Sequence, residues 1–167
     1  MDVHAVPKQQ MQPQSSPLQP TVLLVEDHDD TRRVYSAMLR HSGFVVVEAA
    51  TGAEAVERAE VDSPDLILMD MNLPTFDGWE AARRIKSSPR TAGTPLIAFS
   101  ALIDSVADLR RDTALFDGFI SKPVKPSELV RRVVAYLALL GRVAPAAQPQ
   151  LKRRAPAVAP RSASAIS

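Results

Sequence analysis

The chain has no cysteine, and among its 167 residues there are only three histidines, one tryptophan, two tyrosines and six glycines. Without cysteine there is no disulfide framework, no thiol nucleophile and no Cys-ligated zinc or iron–sulfur site. His4, His28 and His41 are too few and too badly spaced for a multi-histidine metal centre. No stretch approaches the roughly 18–20 apolar residues of a membrane span. No continuous apolar segment follows a basic start, so nothing reads as a secretory signal. These absences together predict a cytoplasmic protein.

Charge also lacks a dominant sign, with 20 Lys+Arg against 19 Asp+Glu for a formal +1. That average hides a division. Residues 1–20 hold four prolines and five glutamines with almost no large apolar side chain; residues 142–167 hold four prolines, many alanines, five Lys/Arg and no acid. Neither end offers enough apolar surface to offset the entropy of ordering it, so both are predicted to be disordered arms. Residues 21–141 form one domain of ordinary size. This middle part holds all six glycines and has 14 Lys/Arg against 18 acids, a net −4, whereas the C-terminal tail carries +5.

Inside the domain, apolar runs alternate with helical patterns. The runs are Val22–Val25, Phe44–Val47, Leu66–Met69, Pro95–Phe99 and a shorter one over 117–121. The first helical pattern begins at Asp29-Asp30, where acids suit the helix dipole, and carries Val34, Met38 and Leu39; Gly43 follows it as a C-terminal cap. Thr51 and Glu54 have the spacing of a capping box, and Ser63-Pro64 ends that second helix. A third helix over 79–87 places Trp79, Ala82 and Ile85 on one face, and a more polar fourth is expected over about 104–114. Pro126 opens a last helix with the stripe Leu129, Val133, Leu137 and Leu140, closed by Gly141. Continuous apolar runs mean strands buried on both faces, hence a parallel sheet covered by helices on both sides. With right-handed crossovers, the prediction is an α/β, doubly wound, five-stranded parallel sheet with five helices, of order 2-1-3-4-5.

In such sheets ligands bind beyond the carboxyl ends of the strands, where strand order reverses. Four of the five runs end in chemically competent residues: Glu26-Asp27, Asp70, Ser100 and Lys122. In that order the four ends lie side by side. Three convergent carboxylates repel each other unless a cation neutralises them, and hard oxygen ligands select Mg²⁺ or a similar ion. A metal and Lys122 beside Asp70 make a place for a phosphoryl group, with Asp70 as its nucleophile and Ser100 as a hydrogen-bond donor.

These residues, in register with the string Asp70-Met71-Asn72-Leu73-Pro74-Thr75-Phe76-Asp77-Gly78, with Ser100-Ala101 and with Phe119-Ile120-Ser121-Lys122-Pro123, resemble a response-regulator receiver domain of the CheY-like family. The likeness covers about 21–141, and the 26 residues that follow leave no room for a DNA-binding domain, so a stand-alone type is expected. The resemblance implies that Asp70 accepts a phosphoryl group from a histidine kinase or a histidine phosphotransfer protein. It implies that Glu26, Asp27, Asp70 and the backbone carbonyl of Asn72 hold Mg²⁺, Glu26 through water. It also implies that Lys122 contacts the phosphoryl group, that Ser100 and Phe119 switch in step, and that the Lys122-Pro123 bond is often cis. The implied output surface, for a downstream protein, is the face made by the fourth helix, the fifth strand and the last helix. Such a protein is a switch or relay, not an enzyme beyond its own phosphoryl transfer and dephosphorylation.

Three departures from the family pattern stand out. Position 26 is Glu rather than the commoner Asp, and position 119 is Phe rather than Tyr. Leu115 stands where the family usually has a glycine helix cap, so the fourth helix is expected to end differently. An aspartyl-phosphate phosphatase or phosphotransferase is the enzyme alternative, but such enzymes usually show Asp-x-Asp, and here the residue two after Asp70 is Asn72. A binding module independent of phosphorylation is the third reading. His28 lies at the rim of the site, with an exposed loop residue as the plainer reading. Trp79 reads as helix packing. The basic tail, with Lys152-Arg153-Arg154, suits either an acidic partner or self-screening.

Overall fold

The computed structural model describes residues 19–74, 78–101 and 113–142. Five strands form one sheet: β1 (Thr21–Val25), β2 (Val45–Ala49), β3 (Leu66–Asp70), β4 (Leu96–Ser100) and β5 (Gly118–Ser121). Their order is β2-β1-β3-β4-β5, and every neighbouring pair is parallel. Among the described residues there are four α-helices: α1 (Asp29–His41), α2 (Gly52–Asp62), α3 (Gly78–Ser87) and α4 (Pro126–Leu139). The helix expected over 104–114 lies almost wholly outside the described residues; Thr113–Leu115 form a single 3₁₀ turn.

Successive strand side chains point to opposite faces, and both faces are covered. Val22, Leu24, Leu66, Leu68, Ile97 and Phe99 pack with Tyr35 and Leu39 of α1 and Leu129, Val133 and Leu137 of α4. Leu23, Val25, Ile67, Met69, Leu96 and Ala98 pack with Ala55 and Ala59 of α2 and Ala81, Ala82 and Ile85 of α3. All five residues of β3 and all five of β4 are buried. That is why these runs are continuous in sequence rather than alternating.

Local chemistry sets the element ends. Thr51 Oγ1 accepts from Glu54 N at 3.2 Å, the expected cap of α2, while Glu54 Oε2 reaches one residue past the cap and accepts from the N–H of Ala50 at 2.8 Å. Gly43, with φ +93°, follows the α1 cap, and Gly141, with φ +67°, follows the α4 cap. Ser63 is the one non-glycine residue with positive φ among the described residues. Leu115 therefore takes no left-handed strain; the 3₁₀ turn ends that segment without a glycine.

Two core expectations need correction. Val34 is 53% exposed, because Tyr35 and Leu39, not Val34, form the inward stripe of α1 with Ser36. Leu140 is 41% exposed, because α4 ends one residue earlier and the buried positions are Leu129, Val130, Val133 and Leu137. Glu48 lies within β2 and ties α1 to it. Its carboxylate accepts from Ser36 Oγ at 2.7 Å and pairs with Arg40 at 2.8 Å and Arg32 at 3.4 Å.

Candidate phosphoryl-acceptor and cation site

The strand order reverses at β1, which pairs with β2 on one side and β3 on the other. The crevice therefore opens beyond the carboxyl ends of β1 and β3, and this is where the charged residues gather. Asp70 is the last residue of β3 and is only 4% exposed; Glu26 follows β1 directly and is 1% exposed. The sheet carries both carboxylates into the interior, where an unpaired charge would be costly.

Lys122 compensates for both. Its Nζ lies 2.5 Å from Glu26 Oε2 and 2.6 Å from Asp70 Oδ2. The same ammonium stands 4.5 Å over the ring of Phe99, a cation–π contact. Burial works against the charged lysine, but its hydrogen bonds to Asp70 and Glu26 and their charges outweigh that, so its pKa is raised above the ordinary lysine value. The backbone aims the side chain. The N–H of Lys122 donates to Ser100 O at 2.9 Å, coupling the ends of β4 and β5, and the Lys122-Pro123 peptide is cis.

The other Asp70 oxygen, Oδ1, accepts from the N–H of Asn72 at 2.9 Å. Asp70 thus has one oxygen on a backbone donor and one on the ammonium. Gly78 is needed for the same turn: a Cβ there would meet the carbonyl of Asp70 and lie 2.8 Å from Met71 Cα, inside any real contact. Asp77 and the two residues before it lie outside the described residues, so that part of the motif is not placed. Ser100 is 2% exposed at the end of β4. Phe119 is partly buried against the α2/α3 side of the core, its ring 5.6 Å from Phe116, which in turn stands edge-on to Trp79 at 5.3 Å.

Asp27 completes the acidic pair at the rim, 22% exposed. One ligand atom from each of Glu26, Asp27 and His28 lies within 4.8 Å of the others. A nearly buried carboxylate beside a second one is the donor chemistry a hard divalent cation takes, so the residues present fit such an ion. Asp70 joins the group through Lys122.

Several groups at the site carry no clear sequence signal. Arg32 of α1 braces the loop after β1, donating from one guanidinium nitrogen to Glu26 O at 2.7 Å and Asp27 O at 3.4 Å, and pairing with Asp29 through the other. Tyr136 of α4 places its hydroxyl 3.3 Å from the N–H of Phe119, and donates to the Phe119 carbonyl at 3.4 Å. Lys86 of α3 reaches Asp117 at 2.9 Å, ahead of β5. Only the position of Arg32, one helical turn beyond the acidic pair, could have been noticed beforehand.

Fold and site together define a doubly wound α/β domain with a carboxylate–lysine cluster at the carboxyl edge of its sheet. Within that class the chain belongs to the response regulator receiver domain family, whose model matches residues 22–134. It is 28% identical over 117 residues to the polar-differentiation response regulator DivK of Brucella ovis, covering 70% of this chain and 95% of that one. A protein of Leptolyngbya boryana without assigned function is 35% identical over 118 residues, 69% of this chain and 88% of its own. Among solved structures, the chemotaxis response regulator CheY4 of Vibrio cholerae matches with TM-score 0.64 and 27% identity, over 69% of this chain and 96% of that one. The receiver domain of a sensor histidine kinase of Pseudomonas aeruginosa, described with magnesium coordinated in its active site cleft, matches with TM-score 0.64 and 34% identity, over 72% and 98%. The family places the chain in two-component signalling. No helix among the described residues is long and apolar enough to cross a membrane.

Proposed function

We propose that this protein is a single-domain response regulator that accepts a phosphoryl group on Asp70 from the phosphohistidine of a kinase or a histidine phosphotransfer protein. One observation carries this most: Asp70, nearly buried at the switch point of the sheet, has its two carboxylate oxygens on the Asn72 N–H and on Lys122. A carboxylate oxygen of Asp70 attacks phosphorus, the P–N bond of the donor breaks, and its electron pair returns to the donor imidazole. Asp70 becomes an acyl phosphate.

The new group adds about −1.5 to −2 charges where Glu26 and Asp27 already stand. Glu26, Asp27, Asp70 and the Asn72 carbonyl would hold a Mg²⁺ ion, which supplies Lewis-acid neutralisation of the phosphoryl oxygens when bound. Lys122, already on Asp70, turns its ammonium to a phosphoryl oxygen. Ser100 at the next strand end donates to another. Phe119, one strand further out, follows, and the surface around β5 and α4 changes for a downstream protein. Attack of water on the acyl-phosphate phosphorus breaks its bond to Asp70, releases inorganic phosphate and returns the resting state, so the protein is a switch or relay and not a multi-turnover enzyme.

The test is intact-mass analysis after treatment with an acyl-phosphate donor and Mg²⁺. A single addition of one phosphoryl group, lost in Asp70→Asn, is expected. No addition to a folded chain refutes the switch and favours a binding module independent of phosphorylation, and sustained hydrolysis of small phosphate esters refutes it in favour of an enzyme.

A further inference from the structure

We propose that His28 is a nitrogen ligand of the cation site and makes it prefer a late first-row divalent ion, such as Ni²⁺ or Zn²⁺, over Mg²⁺. This rests on the reading of Glu26 and Asp27 as cation ligands and goes beyond it, since the oxygen donors alone favour Mg²⁺. His28 Nδ1 lies 2.9 Å from Asp27 Oδ1 and 3.4 Å from Glu26 Oε1. Two donors at about 2.1 Å from one ion are about 3.0 Å apart at a right angle and about 3.4 Å apart at a tetrahedral angle. Both separations are therefore compatible with a shared ion.

The loop is built to keep them. Lys122 holds Glu26 Oε2, which leaves Oε1 on the side of His28, and the His28 backbone N–H donates to that same oxygen at 3.3 Å. Arg32 braces the carbonyls of both acidic residues. Three consecutive donors thus stand close together on a braced backbone, and His28 is 74% exposed, open to an arriving ion. Ligation replaces the hydrogen on Nδ1, which leaves to water. Imidazole suits nickel, copper and zinc far better than magnesium, and copper binds the most tightly of the three. The plain alternative is that His28 only hydrogen-bonds Asp27.

The two are separated by calorimetric titration of the full chain with NiCl₂ and with MgCl₂, for the parent and for His28→Asn. His4 and His41 are present in both proteins, so binding at those residues does not change between them. A fall of at least about tenfold in Ni²⁺ affinity with an unchanged Mg²⁺ affinity is expected for the variant. Zn²⁺ should also shift the His28 imidazole nitrogen resonance in the parent, a direct sign of ligation. Equal Ni²⁺ affinity in parent and variant, with Mg²⁺ still bound, overturns the role of His28 alone. Failure of both ions to bind the parent overturns the cation site and this proposal together.

Discussion

Lys122 and Glu26 stand 96 positions apart in the chain, yet their side chains meet at 2.5 Å, and through that contact the last strand end reaches the first. The contact makes the ammonium a resident counter-charge for two nearly buried carboxylates. Removing it in Lys122→Ala leaves Glu26 and Asp70 unbalanced. The variant should lose about 3 kcal/mol of stability in metal-free buffer, as for breaking a buried pair. Added Mg²⁺ should restore part of that loss. Urea unfolding with and without Mg²⁺ measures both, and a variant as stable as the parent in metal-free buffer would show that the pairing carries no weight.

In the same variant the phosphoryl acceptor itself is intact. Lys122→Ala is therefore expected to take up a phosphoryl group from a small acyl phosphate but to show no change at Phe119 and its neighbours. Mass analysis reads the first and backbone amide shifts of β5 read the second. A normal shift pattern in the phosphorylated variant refutes the role given to Lys122.

Gly118 and Tyr136 are fitted to each other: a Cβ at Gly118 would run into the hydroxyl and ring of Tyr136. Gly118→Ala should cost about 1–3 kcal/mol through overpacking. Tyr136→Phe should cost about 1 kcal/mol, because the N–H and carbonyl of Phe119 lose their hydroxyl partner. Tyr136→Ala removes the ring and should relieve most of the Gly118→Ala penalty. A double-mutant cycle by denaturant unfolding tests this, and strict additivity would mean the two residues do not press on each other.

Glu48 gives a pH dependence. Burial works to raise its pKa, but hydrogen bonds from Ser36 and Arg40 and the charges of Arg40 and Arg32 outweigh it, so it titrates below the ordinary value. A depressed folded-state pKa adds stability that is present above the unfolded value, near 4.5, and is lost as pH falls through the folded one. Glu48→Gln should therefore weaken the protein by about 1 kcal/mol at neutral pH and by progressively less in acid. Unfolding curves from pH 7 down to about pH 3 would show the gap between parent and variant closing; a constant gap would assign the effect to packing instead of charge.

The sheet was legible because β3 and β4 are buried on both faces, and such strands cannot avoid continuous apolar sequence. The chemistry was legible because strand ends in a parallel sheet are forced together, so Glu26, Asp70, Ser100 and Lys122 could be grouped before any contact was known. What escaped depends on rotation and reach. In α1 the stripe of Val34, Met38 and Leu39 errs only at its first member: Tyr35, one position or about one-quarter of a turn away, faces inward instead. Tyr136 gave no sign that its hydroxyl would close the edge of β5, since a half-buried tyrosine on an amphipathic helix is ordinary. Glu26 reads as a metal ligand in sequence; that it also holds Lys122 follows only from where the end of β5 sets the lysine.

Trp79 is the only tryptophan in the chain, and its surroundings make it a reporter of the switch. Its ring meets Phe116 edge-on at 5.3 Å, and Phe116 meets Phe119 at 5.6 Å, so three rings join α3 to β5. Aromatic contacts of this kind contribute about 0.5–1.5 kcal/mol each beyond burial, enough to bias a side chain between two positions. If Phe119 leaves this stack when Asp70 is phosphorylated, the environment of the indole must change with it. Addition of an acyl phosphate and Mg²⁺ should then alter Trp79 emission in the parent. The change should vanish in Asp70→Asn and shrink in Phe119→Ala, where there is no ring to withdraw. Phe116→Leu keeps the volume near the site but cuts the chain of rings, and should leave phosphoryl uptake intact while muting the optical response. An emission change that persists unaltered in Phe119→Ala would show that α3 senses the phosphoryl group by its own contact with the Asp70 turn, through Gly78, and not through the aromatic stack.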